Sequence, residues 1–144
     1  MSIRDIVTTN VQTVDPDATI FEVAQLMRDV DTGVVPVVSG GLLAGVLTDR
    51  DIVVRVIADG ADPRTARVND YMTRNPTTVT LDTGIQQAAQ LMQRDQVRRL
   101  PVVQGPELVG IISIGDLAVD TDKDRLVGDT LEEISRPAAP DLPS

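Results

Sequence analysis

The strongest constraint on the fold is an internal repeat. Sliding the 144-residue sequence by 65 positions sets Thr13 on Thr78 and Asp51 on Asp116, and no gap is needed between them. Other identities in the same register are Ile20 with Ile85, Ala24-Gln25-Leu26-Met27 with Ala89-Gln90-Leu91-Met92, Pro36-Val37-Val38 with Pro101-Val102-Val103, and Gly45 with Gly110. The chain therefore consists of two copies of one supersecondary unit, each too small to bury its apolar faces alone.

The repeat also divides the chain. We expect unit 1 at residues 3–60, a polar linker at 61–67 and unit 2 at 68–119. Residues 120–144 are acidic and end among prolines, a composition that predicts a solvated C-terminal tail with at most one short helix.

Each unit begins with a short extended piece and a helix. Thr19 stands three residues before Glu22, the spacing of a capping box at a helix start. In the second copy Gly84 replaces the threonine, and Thr83 with Gln86 offers a substitute one residue earlier. Apolar residues then follow the 3.6-residue period of a helix with one buried face, at Ile20, Val23, Ala24, Met27 and Val30, and again at Ile85, Ala88, Ala89 and Met92.

Two aliphatic runs follow each helix and predict a β-hairpin. In the first copy they are residues 34–38 and 42–47, separated by the turn residues 39–41. Pro36 removes one backbone donor, which predicts that its strand lies at an edge of the sheet, and the same proline recurs as Pro101.

The segment after the hairpin, residues 49–57, is ambiguous. Its β-branched residues favour a strand, but Thr48 or Asp49 could cap a helix that ends at Gly60, and we predict the helix. Two β-α-β-β-α units of this kind should pack sheet to sheet with pseudo-twofold symmetry, which gives an α+β fold.

The composition removes several classes of function. The chain has no Cys, His or Trp, so it offers no thiol nucleophile, no imidazole base and none of the Cys or His ligands of zinc and haem sites. It has one Phe and one Tyr, and 13 basic against 22 acidic residues give a net charge of −9. Nucleic acid is held by basic grooves and aromatic platforms, so we do not expect it as a partner.

The sequence shows no sign of membrane insertion or export. No apolar run reaches the roughly 18 residues that span a bilayer, and the first residues lack the apolar core of a signal peptide. We therefore expect a cytoplasmic protein without a membrane partner.

Both copies place a hydroxyl residue three positions before an aspartate, just after the second hairpin strand. The pairs are Thr48 with Asp51 and Ser113 with Asp116. A carboxylate at a strand-to-helix junction can accept both hydroxyls of a ribose, and the nearby hydroxyl and helix amides suit a phosphate. The same spacing is also that of a helix-capping pair. The pattern alone leaves both interpretations open.

The complete pattern resembles the CBS domain family, and specifically a tandem CBS pair (Bateman module), over essentially all of residues 3–119. Units of this family end in G-h-h-[ST]-x-x-D-h, where h is apolar, and carry h-P-V-V before the hairpin turn. Both copies match, with GVLTDRDI at 45–52 after VPVV at 35–38, and GIISIGDL at 110–117 after LPVV at 100–103. The stretch at 47–54 is similar to that of small stand-alone bacterial members.

The resemblance implies a non-catalytic regulatory module that binds adenosyl ligands such as AMP, ADP, ATP or S-adenosylmethionine and requires no cofactor. Family pockets combine the ribose-binding aspartate of one unit with the pre-strand segment of the other. By position, one cleft would contain Thr48, Arg50, Asp51, Gly33, Val34 and Val46, closed by Pro76 and Thr77. The other would contain Ser113, Asp116, Val97, Arg98 and Ile111, closed by Val11 and Gln12.

Two further interpretations remain at this point. The module could be a homodimerisation or scaffold unit whose clefts stay unoccupied, since twofold assembly is the default for soluble homo-oligomers. Alternatively, Asp49 and Asp51 could hold a divalent metal for phosphate chemistry, although the second copy has Ile114 in place of Asp49. As a sensor, the module would pass its ligand state to a dimer interface or to an unidentified protein target.

Overall fold

The computed structural model describes residues 2–117, so the predicted tail at 120–144 lies outside the described residues. In chain order the elements are α1 (Ile3–Ile6), α2 (Ile20–Val30), β1 (Val34–Ser39), β2 (Leu42–Thr48), α3 (Asp49–Asp51), a π-helical turn (Ile52–Ile57), α4 (Val68–Tyr71), β3 (Thr73–Arg74), α5 (Ile85–Asp95), β4 (Arg99–Gln104), β5 (Glu107–Ser113) and α6 (Ile114–Leu117). The helices α2 and α5 have 11 residues each, and the two hairpins have the same strand lengths. The repeat in the sequence is therefore a repeat of structure.

The strands form one antiparallel sheet in the order β1-β2-β5-β4, with β3 also paired to β2. The two hairpins meet where Leu42 pairs with Glu107, and the Leu43 amide donates to the Pro106 carbonyl at 3.0 Å. The predicted α+β class is confirmed. The two hairpins are also joined to each other by hydrogen bonds at this corner.

In both hairpins the strand that contains the proline is the outer strand of the sheet. The turn Gly40-Gly41 closes the first hairpin with φ angles of 60° and 83°, a left-handed backbone that residues with a Cβ rarely adopt. Pro36 and Pro101 lie in the outer strands β1 and β4, as their missing amide predicts. Their carbonyls accept hydrogen bonds from the amides of Val14 and Val79 at 3.1 and 3.0 Å, so the short extended pieces cover the outer edges.

The starts of α2 and α5 differ. Thr19 caps α2 as predicted, because its hydroxyl accepts a hydrogen bond from the Glu22 amide at 3.2 Å. The predicted cap at Thr83 is wrong. The Thr83 hydroxyl accepts from the Thr80 amide at 3.0 Å and so closes the preceding turn, and α5 begins after Gly84, which has no side chain to cap it.

The segment after β2 is helical, as predicted, but its winding changes along its length. Residues Asp49–Asp51 form α3, and Ile52–Ile57 continue as a π-helix. The wider winding is visible in the hydrogen bond from the Ala58 amide to the Val53 carbonyl, five residues back, at 3.0 Å. Val56 is fully buried in the core of unit 1.

The two units exchange their short N-terminal helices. Helix α1 begins unit 1 in sequence, but Ile3 is fully buried in the core of unit 2. Helix α4 begins unit 2, but Val68 and Met72 are buried in the core of unit 1. The linker lies along the same unit, since the Ile20 amide donates to the Ala66 carbonyl at 3.0 Å. Each core therefore contains residues from both halves of the sequence.

Two repeated glycines allow this exchange. Thr8 pairs with Ile111 of β5, and β3 pairs with β2 at Gly45. A Cβ on Gly45 would lie 2.5 Å from the carbonyl oxygen of Thr73, and a Cβ on Gly110 would overlap the carbonyl oxygen of Thr8. Only glycine leaves room for the exchanged backbone at these two positions.

We predict that Gly45→Ala lowers the free energy of unfolding by about 1–3 kcal/mol, because the added methyl group must push β3 away from β2. Urea denaturation of the full chain measures this change. The matched control is Gly115→Ala, where a Cβ would meet the Ser113 hydroxyl at an ordinary 3.6 Å. Alanine favours a helix over glycine, so the control should be unchanged or slightly stabilised. Equal unfolding free energies for Gly45→Ala and wild type would contradict the assigned role of the glycine.

Candidate functional site

The two hydroxyl–aspartate pairs are reciprocal capping boxes. The Thr48 amide donates to Asp51 Oδ2 and the Asp51 amide donates to Thr48 Oγ1, both at 3.0 Å. The Ser113 amide donates to Asp116 Oδ2 at 2.7 Å, and the Asp116 amide donates to Ser113 Oγ at 3.3 Å. The capping interpretation is therefore confirmed for both pairs.

Capping uses only part of each carboxylate. All four residues are half-buried, and in each box the bond to the carboxylate is accepted by its Oδ2. Among the described residues no hydrogen bond reaches Oδ1 of Asp51 or Asp116. Each carboxylate is thus held in a fixed orientation with one oxygen available to a ligand.

A cavity of about 230 Å³ lies between the two units. Its walls are the segment that follows α1, the end of α2 with the start of β1, and the paired strands β4 and β5. The lining residues are Thr8, Asn10, Val11, Gln12, Val30, Thr32, Val34, Arg99 and Ile111. The wall combines four aliphatic side chains, four uncharged polar side chains and, among the described residues that line it, one cation.

Strand register places both capping boxes next to this cavity. Val34 pairs with Thr48 across β1 and β2, and Arg99 pairs with Ser113 across β4 and β5. Side chains of directly paired residues lie on the same face of a sheet. Because Val34 and Arg99 both line the cavity, each box lies one strand pairing away from a lining residue, one box in each unit.

The cavity brings together residues of both predicted clefts. Val11, Gln12 and Ile111 come from the second predicted set, and Val34 comes from the first. The remaining predicted residues, including those of both capping boxes, do not line it.

The rest of the first set lies near the start of α3. The Gly33 carbonyl accepts from the Asp49 amide at 3.0 Å, which ties the start of β1 to the end of β2. Val46 is half-buried in β2 beside β3, and Pro76 is half-buried in the segment after β3. Arg50 is exposed on α3.

The rest of the second set lies between α5 and β4. Val97 is 36% exposed. Arg98 is exposed, and its carbonyl accepts from the Ile114 amide at 2.8 Å. The guanidinium in the cavity wall belongs to Arg99, one residue further along.

Thr77 is engaged in a hydrogen-bond network with the end of α5. Its hydroxyl donates to Asp95 Oδ2 at 2.5 Å, and Arg94 Nη2 donates to the Thr77 oxygen at 3.4 Å. Arg94 Nε also donates to Asp95 Oδ1 at 2.9 Å. The Arg94 guanidinium and the Thr77 hydroxyl, which both donate to it, lower the pKa of the Asp95 carboxyl below its ordinary value.

Sequence reasoning did not select five residues that line the cavity: Thr8, Asn10, Val30, Thr32 and Arg99. A signal for two of them is present in the sequence. The offset of 65 residues sets Thr8 on Thr73 and Asn10 on Asn75, so a Thr-x-Asn triplet precedes each pre-strand segment. The other three lie at the ends of regular elements, where their orientation depends on how the two units meet.

The comparison with known families identifies the two repeated units. The sequence profile of the CBS domain matches residues 3–58 and 68–122. This chain belongs to the CBS domain family. Proteins built from pairs of CBS domains are generally regulatory and often oligomeric.

Similar proteins span nearly the same length as this chain. The CBS domain-containing protein YhcV of Bacillus subtilis is 42% identical over 134 residues, which is 93% of this chain and 95% of YhcV. A crystal structure of Hypoxic Response Protein I with two coordinated zinc ions is 37% identical with a TM-score of 0.76, covering 83% of this chain and 98% of that chain. The hexameric CBS-CP12 protein from bloom-forming cyanobacteria is 31% identical with a TM-score of 0.73, covering 87% of this chain and 74% of that one.

The residue types in this chain differ from those of a usual zinc site. Zinc is most often held by Cys and His, and the chain contains neither. Within residues 2–117, no three acidic side chains come together in an arrangement that could hold a metal ion. The same described range contains no helix that is long and apolar enough to cross a membrane.

We predict that the Asp95 network stabilises the fold in a pH-dependent way. A lowered pKa in the folded state adds stability above the unfolded pKa of about 3.9, and this stability is lost as the pH falls through the folded value. Asp95→Asn should therefore be less stable than wild type at pH 7, by no more than about 1 kcal/mol for this exposed ion pair, and the difference should shrink in acid.

Urea denaturation of both proteins between pH 7 and pH 3 measures this difference. The control is Asp29→Asn, which removes a surface pair of 2.9 Å with Arg28 at the end of α2. The prediction would be contradicted if the free energies of unfolding of wild type and Asp95→Asn differed by the same amount over the whole pH range.

Proposed function

We propose that the chain is a non-catalytic regulatory module that binds an adenosyl ligand, such as AMP, ADP, ATP or S-adenosylmethionine, between its two units. The observation that carries the proposal is the cavity between the units, with a capping box one strand pairing from its lining in each unit, and each box's aspartate keeps one carboxylate oxygen unused. The ligand's state would be read by a dimer interface or by a protein target.

The cavity wall and the two capping boxes together offer a chemical match for each part of an adenosyl ligand. The aliphatic side chains of Val11, Val30, Val34 and Ile111 provide apolar surface for an adenine ring. The free oxygen of Asp51 or Asp116 can accept a hydrogen bond from a ribose hydroxyl. The Arg99 guanidinium matches the geometry of a phosphate, and Thr8 and Thr32 add hydroxyl donors.

The position of the cavity also suits a regulatory role. Its lining comes from both units and from the segment that follows the exchanged helix α1, so a ligand that fills it contacts all three. A ligand can shift an equilibrium between two arrangements only by its differential affinity for them, commonly about 1–3 kcal/mol. Contacts with both units are what makes such a difference in affinity attainable.

The arrangement of Asp49 and Asp51 supports a binding role over metal-dependent catalysis. Asp49 Oδ1 accepts from the Arg50 amide at 2.8 Å, and Asp51 Oδ2 accepts from the Thr48 amide. Both carboxylates are thus turned toward the backbone at the start of α3, where negative charge is favourable.

We predict that isothermal titration of the wild type with AMP, ATP and S-adenosylmethionine shows saturable binding of at least one of them. The double variant Asp51→Asn/Asp116→Asn should bind at least about tenfold more weakly, because it loses the charged acceptors of the ribose hydroxyls. Asparagine still offers an oxygen to the capping amides, so the fold should persist.

Asp82→Asn, on an exposed turn, is the control and should bind like wild type. A ligand that binds only the native state must also raise the melting temperature, which gives an independent readout. The absence of both heat and melting shift with all three compounds would contradict the proposed function.

Self-association is a second candidate, favoured by an apolar surface on the π-helical turn. Val53, Val54 and Ile57 are 61%, 43% and 53% exposed. Large apolar side chains grouped in this way are typical of contact surfaces. The hexameric CBS-CP12 protein shows that a similar CBS chain can assemble.

The charges beside this surface fit a second copy of the same chain. Arg50 precedes Val54 by four residues and Asp59 follows it by five, and both are exposed. Among the described residues neither side chain has an ion-pair partner. An antiparallel, twofold contact centred on Val54 would set Arg50 of each copy beside Asp59 of the other.

We predict that light scattering gives a dimer for wild type and a monomer for Ile57→Glu. Asp59→Arg should weaken the dimer, and Arg50→Asp/Asp59→Arg should restore it, because only the double change keeps opposite charges across the contact. Leu42→Lys, at a 45% exposed position on the first hairpin, should remain a dimer. A monomeric wild type would contradict this contact. So would dimers of equal stability in Asp59→Arg and in Arg50→Asp/Asp59→Arg.

A further inference from the structure

The repeat allows the two clefts to be compared position by position. The offset of 65 residues sets Gln12 on Thr77 and Val30 on Asp95. Gln12 and Val30 line the described cavity together with Arg99. Thr77 and Asp95 therefore hold the equivalent places in the other predicted cleft, the one expected to contain Asp51.

The side chains at these equivalent places behave differently. Thr77 and Asp95 are bonded to each other at 2.5 Å, and Arg94 donates to both. These bonds fasten the segment after β3 to the end of α5. A valine at position 30 cannot form any such bond with Gln12, so the segment after α1 is not fastened to α2 in this way.

The charge presented to a ligand differs as well. In the described cavity a phosphate would meet the Arg99 guanidinium, which has no ion-pair partner among the described residues. In the other cleft the equivalent of Val30 is the Asp95 carboxylate, whose side chain is 28% exposed. That carboxylate already pairs with the Arg94 guanidinium at 2.9 Å, so a phosphate placed there would have to compete with Asp95 for the cation. The Thr77 hydroxyl, which could otherwise donate to that phosphate, already donates to Asp95.

The size of the cavity sets the number of ligands that it can take. Its volume of about 230 Å³ lies just below the range of roughly 300–1,000 Å³ that is usual for small-molecule sites. It therefore has room for the nucleoside part of one ligand, and a second ligand would not fit in it.

From these differences we infer that the module binds one anionic nucleotide per chain, in the cleft of Arg99, and that Thr77 and Asp95 keep the other cleft closed to phosphate. The inference rests on the proposed function and narrows it, because it assigns the ligand to one cleft and names the two residues that decide the choice. Exchanging these residues between the two copies should therefore move the binding.

The test exchanges the residues in both directions and counts bound ATP by isothermal titration of the full chain. Wild type should bind one ATP per chain. Thr77→Gln/Asp95→Val, which gives the closed cleft the residues of the open one, should bind two. Gln12→Thr/Val30→Asp, which gives the open cleft the residues of the closed one, should bind ATP at least about tenfold more weakly.

Two further measurements keep the result interpretable. Asp95→Asn preserves the shape of the network and removes the carboxylate charge, which leaves the Arg94 guanidinium without its ion-pair partner. This variant should therefore admit a second ATP with lower affinity, even if the double variant folds poorly. Circular dichroism and thermal melting of every variant verify the fold. Titration with AMP in a parallel series covers a ligand with a single phosphate.

The outcomes separate this inference from the proposed function. Two equivalent ATP or AMP sites in wild type would overturn the inference and leave the proposed function standing. One site in both Asp95 variants, or unchanged affinity in Gln12→Thr/Val30→Asp, would do the same. If wild type binds neither ATP nor AMP, the inference fails, and binding of S-adenosylmethionine then decides whether the proposed function survives.

Discussion

The close backbone approach at Gly45 and Gly110 is the constraint on which the rest of the structure depends. The carbonyl oxygens of Thr73 and Thr8 lie where a Cβ would otherwise stand, so the exchanged segments can hydrogen-bond to β2 and β5. Through this contact each short helix enters the core of the other unit. A unit of about 60 residues is marginally stable by itself. The exchange joins two marginal cores into one cooperative structure.

The exchange also explains why the cavity suits regulation. The segment that lines the cavity at Thr8 and Asn10 follows directly on α1, whose Ile3 is fully buried in unit 2. The same segment leads to Val14, which bonds to β1 of unit 1. A ligand in contact with this segment is therefore close to the connection between the two cores. Coupling between a ligand and the arrangement of the units needs such a continuous physical connection.

The sequence predicted the repeat, the hairpins and the α+β class because apolar periodicity, Gly-Gly turns and the edge prolines are local signals. It also predicted the helix after β2, although its π-helical winding depends on how Val56 reaches the core. The exchange of α1 and α4 could not be predicted, because the repeat aligns each short helix with its own unit and packing decides otherwise. The lining of the cavity shows the same division. Val11, Gln12, Val34 and Ile111 could be named from the sequence pattern, whereas Arg99, whose place in the wall depends on packing, was passed over for its neighbour Arg98.

The two interpretations of Asp51 and Asp116, helix cap and ligand acceptor, are compatible. A capping bond to Oδ2 fixes the side-chain torsions of each aspartate before any ligand arrives. Fixing these torsions in advance removes an entropic cost that an unrestrained carboxylate would have to meet on binding. The remaining oxygen of each aspartate is held at the start of α3 or α6, and these helices directly follow β2 and β5. The spacing of a helix cap would thus also prepare each carboxylate for the proposed ligand.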